Sequence, residues 1–317
     1  MHAPPLLRII IWTGLLCLFI TSLTGCKKAG RQDSPTLTKT DSTIHFHQVP
    51  AIPLILKTSE ERASWLALHY WDNLAFTDTS LVHQPETEQS FADFLNVLST
   101  MQPEVAERAI ETLLQKASVS NEVFLHFCSL AEKYLYDPNS PLKNEGLYEV
   151  FLEKMLASSI LEDVYKIRPS KQYELIVKNK VGKRAINITA TLKNGRQIRL
   201  YDLKSRFTLI YFHNPECNDC ERVRNILATS DLINKDIAGG KLVVLSVYPD
   251  EDLTAWKAHY AALPANWING YDAGCQIKQK ELYDLKAIPT LYLVDEDMLV
   301  LLKDVTPEQV LTFLANQ

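Results

Sequence analysis

The chain has 317 residues, 46% hydrophobic and 22% charged, with a formal net charge of −5. That length and apolar share support a globular protein with two hydrophobic cores rather than one. An acidic balance without a basic patch excludes a protein that binds nucleic acid by neutralising phosphates.

Arg8 precedes the apolar run Ile9 to Ile20, which has the length of a secretory core and is too short for a comfortable membrane span. Leu23-Thr24-Gly25-Cys26 follows at the distance of a cleavage site. This stretch resembles the lipobox of bacterial lipoproteins, which implies that residues 1–25 are a signal peptide and that Cys26 is diacylated at the mature N-terminus. More than one acyl chain gives firm anchoring. The resemblance places the protein in the bacterial envelope, its membrane partner reached through the N-terminal lipid. Lys27 in place of a retaining Asp favours the outer membrane. Residues 26–55 are mostly polar and aperiodic, as in a flexible tether.

Residues 56–182 read as an α-helical domain. Thr58-Ser59-Glu60-Glu61 has capping-box spacing, and Trp65, Leu68, Trp71 and Leu74 follow at helical intervals. Further helices are predicted over 87–101, 103–117 (opened by Pro103), 121–136, 145–160 and 170–179, with Asp137-Pro138-Asn139-Ser140-Pro141 as a break. Tyr134 to Pro141, followed by Asn144-Glu145, resembles a helical domain of unknown function that precedes thioredoxin-like domains in lipoproteins of Gram-negative gut bacteria. That likeness implies a two-domain layout and no chemistry.

Residues 183–317 change character. Asn194-Gly195 between the runs 185–192 and 197–201 is a strong hairpin signal. Strand 207–213, helix 218–230, strand 241–248 and helix 252–262 continue as an alternating series; helix 276–285, strands 290–295 and 298–303, and helix 307–315 complete it. Cys217-Asn218-Asp219-Cys220 opens the helix after the apolar strand, and Ala287-Ile288-Pro289-Thr290 stands before a later one. Two cysteines on one helical turn can bring their sulfurs within bonding reach, and the first sits where free helix N–H groups favour a thiolate.

These motifs resemble the thioredoxin superfamily, specifically its membrane-tethered TlpA/ResA-like branch, over residues 183–317. The resemblance implies an α/β fold with a central mixed sheet flanked by helices, and 250–269 as an insertion relative to minimal thioredoxin. It assigns Cys217 as the attacking thiol, Cys220 as the resolving thiol, and Pro289 as a cis proline facing them. It further implies a protein disulfide as substrate, an upstream thiol electron donor, and no cofactor beyond the redox-active disulfide of Cys217 and Cys220. Two family positions differ. Glu216 replaces the usual Trp, and Tyr211 replaces the Asp that thioredoxins bury. The proton acceptor for Cys220 is therefore open among His213, Glu216 and Asp219, of which His213 has the best natural pKa, about 6.5. A histidine that merely packs at the strand end is the competing reading. The carboxylates of Glu216 and Asp219 disfavour a neighbouring thiolate, which points to a reductant or isomerase rather than an oxidase, with a potential nearer thioredoxin's roughly −270 mV than the roughly −120 mV of a strong oxidant.

Of the other cysteines, Cys17 leaves with the signal, Cys128 lies on an apolar helical stripe, and Cys275 reads as a spare thiol. A peroxidase motif would need Pro and Thr/Ser where Ile210 and Asn214 stand. Structural zinc needs four ligands, and the chain has no second Cys-x-x-Cys or Cys-x-x-His. The reading is a lipid-anchored, periplasm-facing thiol–disulfide oxidoreductase acting as a disulfide reductase. The alternative is a partner-docking lipoprotein whose thioredoxin-like part is mainly a scaffold.

Overall fold

The structure, a computed structural model, describes residues 47–317. The expected signal peptide, Cys26 and most of the tether lie outside the described residues. Helix α1 (Ser59–His69) begins with the expected capping box: Thr58 Oγ1 accepts the Glu61 N–H at 3.1 Å, and the Glu61 carboxylate accepts the Thr58 N–H at 3.0 Å. Helices α2 (Pro85–Leu98) and α3 (Pro103–Ala117) each place a proline at the first helical position, where its missing N–H costs nothing. Helix α4 (Asn121–Ala131) widens into a π-helical turn over Glu132–Tyr136 before the Asp137–Pro138 break. Helices α5 (Glu145–Ala157) and α6 (Asp163–Ile176) close the bundle. Its core is aromatic, with Trp71, Phe91, Phe94, Phe127 and Phe151 buried against one another, and Cys128 is buried beside them.

Helix α6 starts seven residues earlier than the predicted 170–179 and runs through Pro169. A proline inside a helix removes one N–H bond and crowds the preceding turn, so Pro169 would ordinarily stand at a helix boundary. Packing overrides it. Gln172 accepts from the Tyr148 hydroxyl and donates to Glu132, each at 2.8 Å, and Arg168 pairs with Glu132.

The second region is built on a sheet whose strands lie in the order 197–199, 189–192, 268–271, 242–248, 207–212, 290–295 and 300–303. The predicted hairpin is β1 (Thr189–Leu192) against β2 (Gln197–Arg199), turning at Gly195 with φ +82°. Strand β3 (Phe207–Phe212) is buried at every residue, helix α7 (Asn218–Thr229) follows, and a separate helix α8 (Asp231–Ala238) is capped by Ser230. Strand β4 (Leu242–Tyr248) runs parallel to β3, and helix α9 (Leu253–His259) follows it. Strand β5 (Ile268–Tyr271) and helix α10 (Gln276–Gln279) lead to β6 (Thr290–Asp295), β7 (Val300–Lys303) and α11 (Pro307–Ala315). Strand β6 runs antiparallel to β3, so the sheet is mixed. Ile210 and Phe212 face one core, Leu209 and Tyr211 the other, as expected of a central strand covered on both sides.

Three predicted elements differ. The segment after α9 ends in β5, a strand that joins β4 to the hairpin by pairing parallel to β4 and antiparallel to β1. Its Gly270 is required, because a Cβ there would lie 2.9 Å from the Ala190 Cβ and 3.1 Å from the Thr191 carbonyl oxygen. The predicted helix 276–285 stops after one turn, and Glu281 adopts φ +47° just beyond it. Strand β7 begins at Val300 because Met298, at φ +65°, sits in the turn.

A charged cluster ties the helical region to the sheet. Lys286 lies 2.6 Å from Glu145, 3.0 Å from Asp284 and 3.3 Å from Asp304. Lys303 reaches Glu145 at 2.9 Å, and Lys143 donates to the Asp304 carbonyl at 2.7 Å. Burial opposes the charge on Lys286, but the three carboxylates outweigh it and raise its pKa. Beside the cluster, Tyr136 donates to Asp284 at 3.1 Å, while Asn179 fastens the junction by donating to the Leu282 carbonyl at 2.8 Å.

Candidate active site

The chain leaves β3 at Phe212 and turns sharply before α7. Asn214 makes that turn: its side-chain oxygen accepts the Glu216 N–H at 3.0 Å, and its carbonyl accepts the Cys217 N–H at 3.2 Å. Cys217 is the N-cap of α7, with extended backbone at φ −100°, and its Sγ accepts the Cys220 N–H at 3.1 Å. Negative charge on this sulfur therefore meets a backbone N–H and the positive end of a twelve-residue helix.

Cys217 is half-buried, whereas Cys220 is only 2% exposed. Burial pushes the Cys220 thiol well above its ordinary pKa; the Asn214 N–H, 3.5 Å from its sulfur, pulls weakly the other way. The two cysteines therefore differ in exposure and in environment. The Cys217 thiol also points at the Ile288 carbonyl, at 3.5 Å, and the Ile288–Pro289 peptide is cis. Cys217, Cys220 and Pro289, read from separate parts of the sequence, are brought together.

The three candidates for proton transfer occupy different environments. His213 is 3% exposed, stacks on Tyr211 with ring centroids 4.8 Å apart, and shares a hydrogen bond of 2.8 Å between its Nε2 and Ser246 Oγ. Burial, followed by the charge of Arg224, lowers its pKa to about 4, so it is neutral at pH 7. It nevertheless lines, with Tyr211, Cys220 and Arg224, a cavity of about 10 Å³, close to the space one water needs. Glu216 is exposed. Asp219 is exposed and accepts from Arg222 Nε at 2.9 Å, which offsets its charge and leaves Glu216 as the remaining carboxylate of the argument for a reducing potential.

Sequence reasoning missed Tyr211 as a supporting group. Its hydroxyl donates to the Cys220 carbonyl at 2.6 Å, tying β3 to the first turn of α7. The signal was a hydroxyl in a strand otherwise made to be buried. Cys128 is a core residue, and burial raises its thiol pKa strongly. Cys275 caps α10 in the left-handed region, with its N–H on the Asp272 carbonyl. Among the described residues no cluster of His, Cys, Asp and Glu is arranged to hold a metal ion, and no helix is long and apolar enough to cross a membrane.

Two family models match the chain: a domain of unknown function (DUF5106) over residues 25–179 and a thioredoxin-like model over residues 205–300. A crystal structure of a thioredoxin-like protein from Bacteroides caccae is 44% identical, covering 87% of this chain and 100% of that one, with a TM-score of 0.84. The C-terminal domain of an uncharacterised protein from Bacteroides fragilis is 46% identical over 44% of this chain and 99% of its own, with a TM-score of 0.43. The thioredoxin domain of a thiol-disulfide oxidoreductase from Bacteroides vulgatus is 21% identical over 43% of this chain and 98% of its own, with a TM-score of 0.38. No curated protein matches the chain.

Proposed function

The chain belongs to the thioredoxin-like family, with a helical DUF5106 domain ahead of the thioredoxin-like fold, and from that premise we propose that it is a thiol–disulfide oxidoreductase working as a disulfide reductase. The observation that carries the proposal is the asymmetry of the pair: an accessible sulfur at a helix N-terminus and a buried one a single turn behind it.

In the reductive cycle the Cys217 thiolate attacks one sulfur of a substrate disulfide. The substrate S–S bond breaks, its other sulfur leaves as a thiolate, and a mixed disulfide joins Cys217 to the substrate. Cys220 then loses its proton and attacks the Cys217 Sγ. The Cys217–Cys220 disulfide forms, the substrate leaves as a dithiol, and two electrons have passed from the pair to the substrate. A second dithiol protein must return two electrons to close the cycle. Water in the cavity that Cys220 shares with His213 would accept the proton; His213 itself, its pKa lowered to about 4 by burial and Arg224, is too weak a base to hold it at pH 7.

The location proposed is the bacterial envelope, with Cys26 acylated and the redox domain facing the periplasm, the outer membrane favoured by Lys27. The rival docking role leaves both cysteines without a use. The test is turbidimetric reduction of insulin with dithiothreitol as donor. Wild type should accelerate it, and Cys217→Ser should fall to the uncatalysed rate. A Cys217→Ser variant as active as wild type would refute the proposal.

A further inference from the structure

A groove of about 250 Å³ runs beside the Ile288–Pro289 peptide, and its two walls come from different parts of the chain. Asp219 and Arg222, on the first turns of α7, form one wall, and Asn139 and Lys143 of the helical region form the other. Ile288, whose carbonyl faces the Cys217 sulfur at 3.5 Å, lies in the same groove. Resting on the functional reading above, we propose that the 138–143 loop of the helical region is the second wall of the substrate site, and that the groove takes a neutral, extended polypeptide segment flanking the substrate's disulfide.

Three observations fix that occupant. The groove is continuous with Ile288 and Pro289, so chain lying in it presents its sulfur to Cys217. Its charges are already satisfied. Lys143 pairs with Asp304 at 3.1 Å and Arg222 hydrogen-bonds Asp219 at 2.9 Å, so a charged segment would find no uncompensated partner. Its volume of about 250 Å³ falls below the roughly 300–1,000 Å³ of ordinary ligand pockets, which suits a short stretch of extended chain. The helical wall is also held in place. Ser140 Oγ donates to the Tyr134 carbonyl at 2.5 Å, Lys143 donates to the Asp304 carbonyl at 2.7 Å, and two residues beyond it Glu145 is gripped by Lys286 and Lys303. A wall fixed at both ends discriminates by shape, because it does not swing aside. The helical region thereby gains a role in the reaction, selecting disulfides that lie in exposed or unfolded chain.

Asn139 is exposed and lies in a loop, so a large side chain there narrows the groove without entering either core. The test compares two substrates at limiting concentration with dithiothreitol as donor, a neutral ten-residue peptide closed by a disulfide and hydroxyethyl disulfide, which is too small to reach the loop. In the full chain, Asn139→Trp should lower the ratio of the peptide rate to the small-disulfide rate by about tenfold. Glu122→Trp, which places the same bulk at an exposed helical position outside the groove, should keep that ratio within about twofold of wild type. Circular dichroism and thermal unfolding of both variants establish that they fold. An unchanged ratio in a folded Asn139→Trp protein would overturn the groove assignment while leaving the reductase reading intact. Wild-type protein inert toward both disulfides would instead overturn the reductase reading.

Discussion

The hydroxyl of Tyr211 donates to the carbonyl of Cys220 at 2.6 Å, from inside the central strand to the first turn of the redox helix. At the position where the sequence resemblance expects a buried carboxylate, the tyrosine instead fastens the backbone of Cys220 to the central strand. Tyr211→Phe should cost about 1 kcal/mol of stability, the net worth of a buried hydrogen bond, and should quicken alkylation of Cys220 in the reduced protein. Urea unfolding and timed iodoacetamide labelling read the two effects.

The thiols should label in the order of their accessibility. Cys217 is half-buried at a helix N-cap, Cys220 is buried beneath it, and Cys128 lies in the aromatic core. Substoichiometric iodoacetamide on the reduced, folded protein, followed by peptide mass mapping, should find Cys217 modified ahead of Cys220 and Cys128. Cys220 labelling ahead of Cys217 would reverse the assigned roles.

His213 predicts a pH dependence of stability. Its folded pKa, about 4, lies below the ordinary 6.5, so between those values the unfolded chain binds a proton that the folded chain refuses. Stability contributed by neutral His213 is therefore full above pH 6.5 and falls as the pH drops toward 4. The loss should be on the order of 3 kcal/mol across that window. His213→Gln removes this component, so denaturant unfolding at pH 7.5 and pH 4.5 should show a smaller drop in the variant than in wild type.

The ion cluster between the helical region and the sheet predicts a mechanical coupling. Glu145 accepts from Lys286 and Lys303, whose side chains are 11% and 5% exposed, so Glu145→Gln leaves two nearly buried cations short of a carboxylate. The cost should be about 2–4 kcal/mol. Asp202→Asn, which breaks the exposed pair with Arg199, should leave the unfolding midpoint close to that of wild type. Urea midpoints of the two variants provide the comparison.

Acylation of Cys26 is tested in cells. A clickable fatty acid should tag wild type and leave Cys26→Ser unlabelled. Equal labelling of both would contradict the lipobox reading.

Much of this was legible in the sequence because the signals were local. The capping box at Thr58, the proline that opens the helix at Pro103, the Asn194-Gly195 turn and the Cys-x-x-Cys spacing each involve a few neighbouring residues, and the corresponding elements form. What was not legible depends on distant partners. Strand β5 is four residues long and exists because β4 and β1 flank it, with Gly270 as the permissive contact. Helix α6 continues through Pro169 because Tyr148 and Glu132 hold Gln172 on its buried face. The bond from Arg222 to Asp219 is one of several that an arginine can make within a helical turn, and the sequence does not choose among them. The approach of Asn139 and Lys143 to Pro289 spans about half the chain and has no sequence signature.

The central claim is that Cys217 exchanges electrons with a disulfide and that Cys220 releases the product. A Cys220→Ser variant incubated with a peptide disulfide should accumulate a covalent adduct that dithiothreitol reverses, and mass mapping should place the peptide on Cys217. An adduct on Cys275 or Cys128, or none at all when wild type is folded and reduced, would contradict the account.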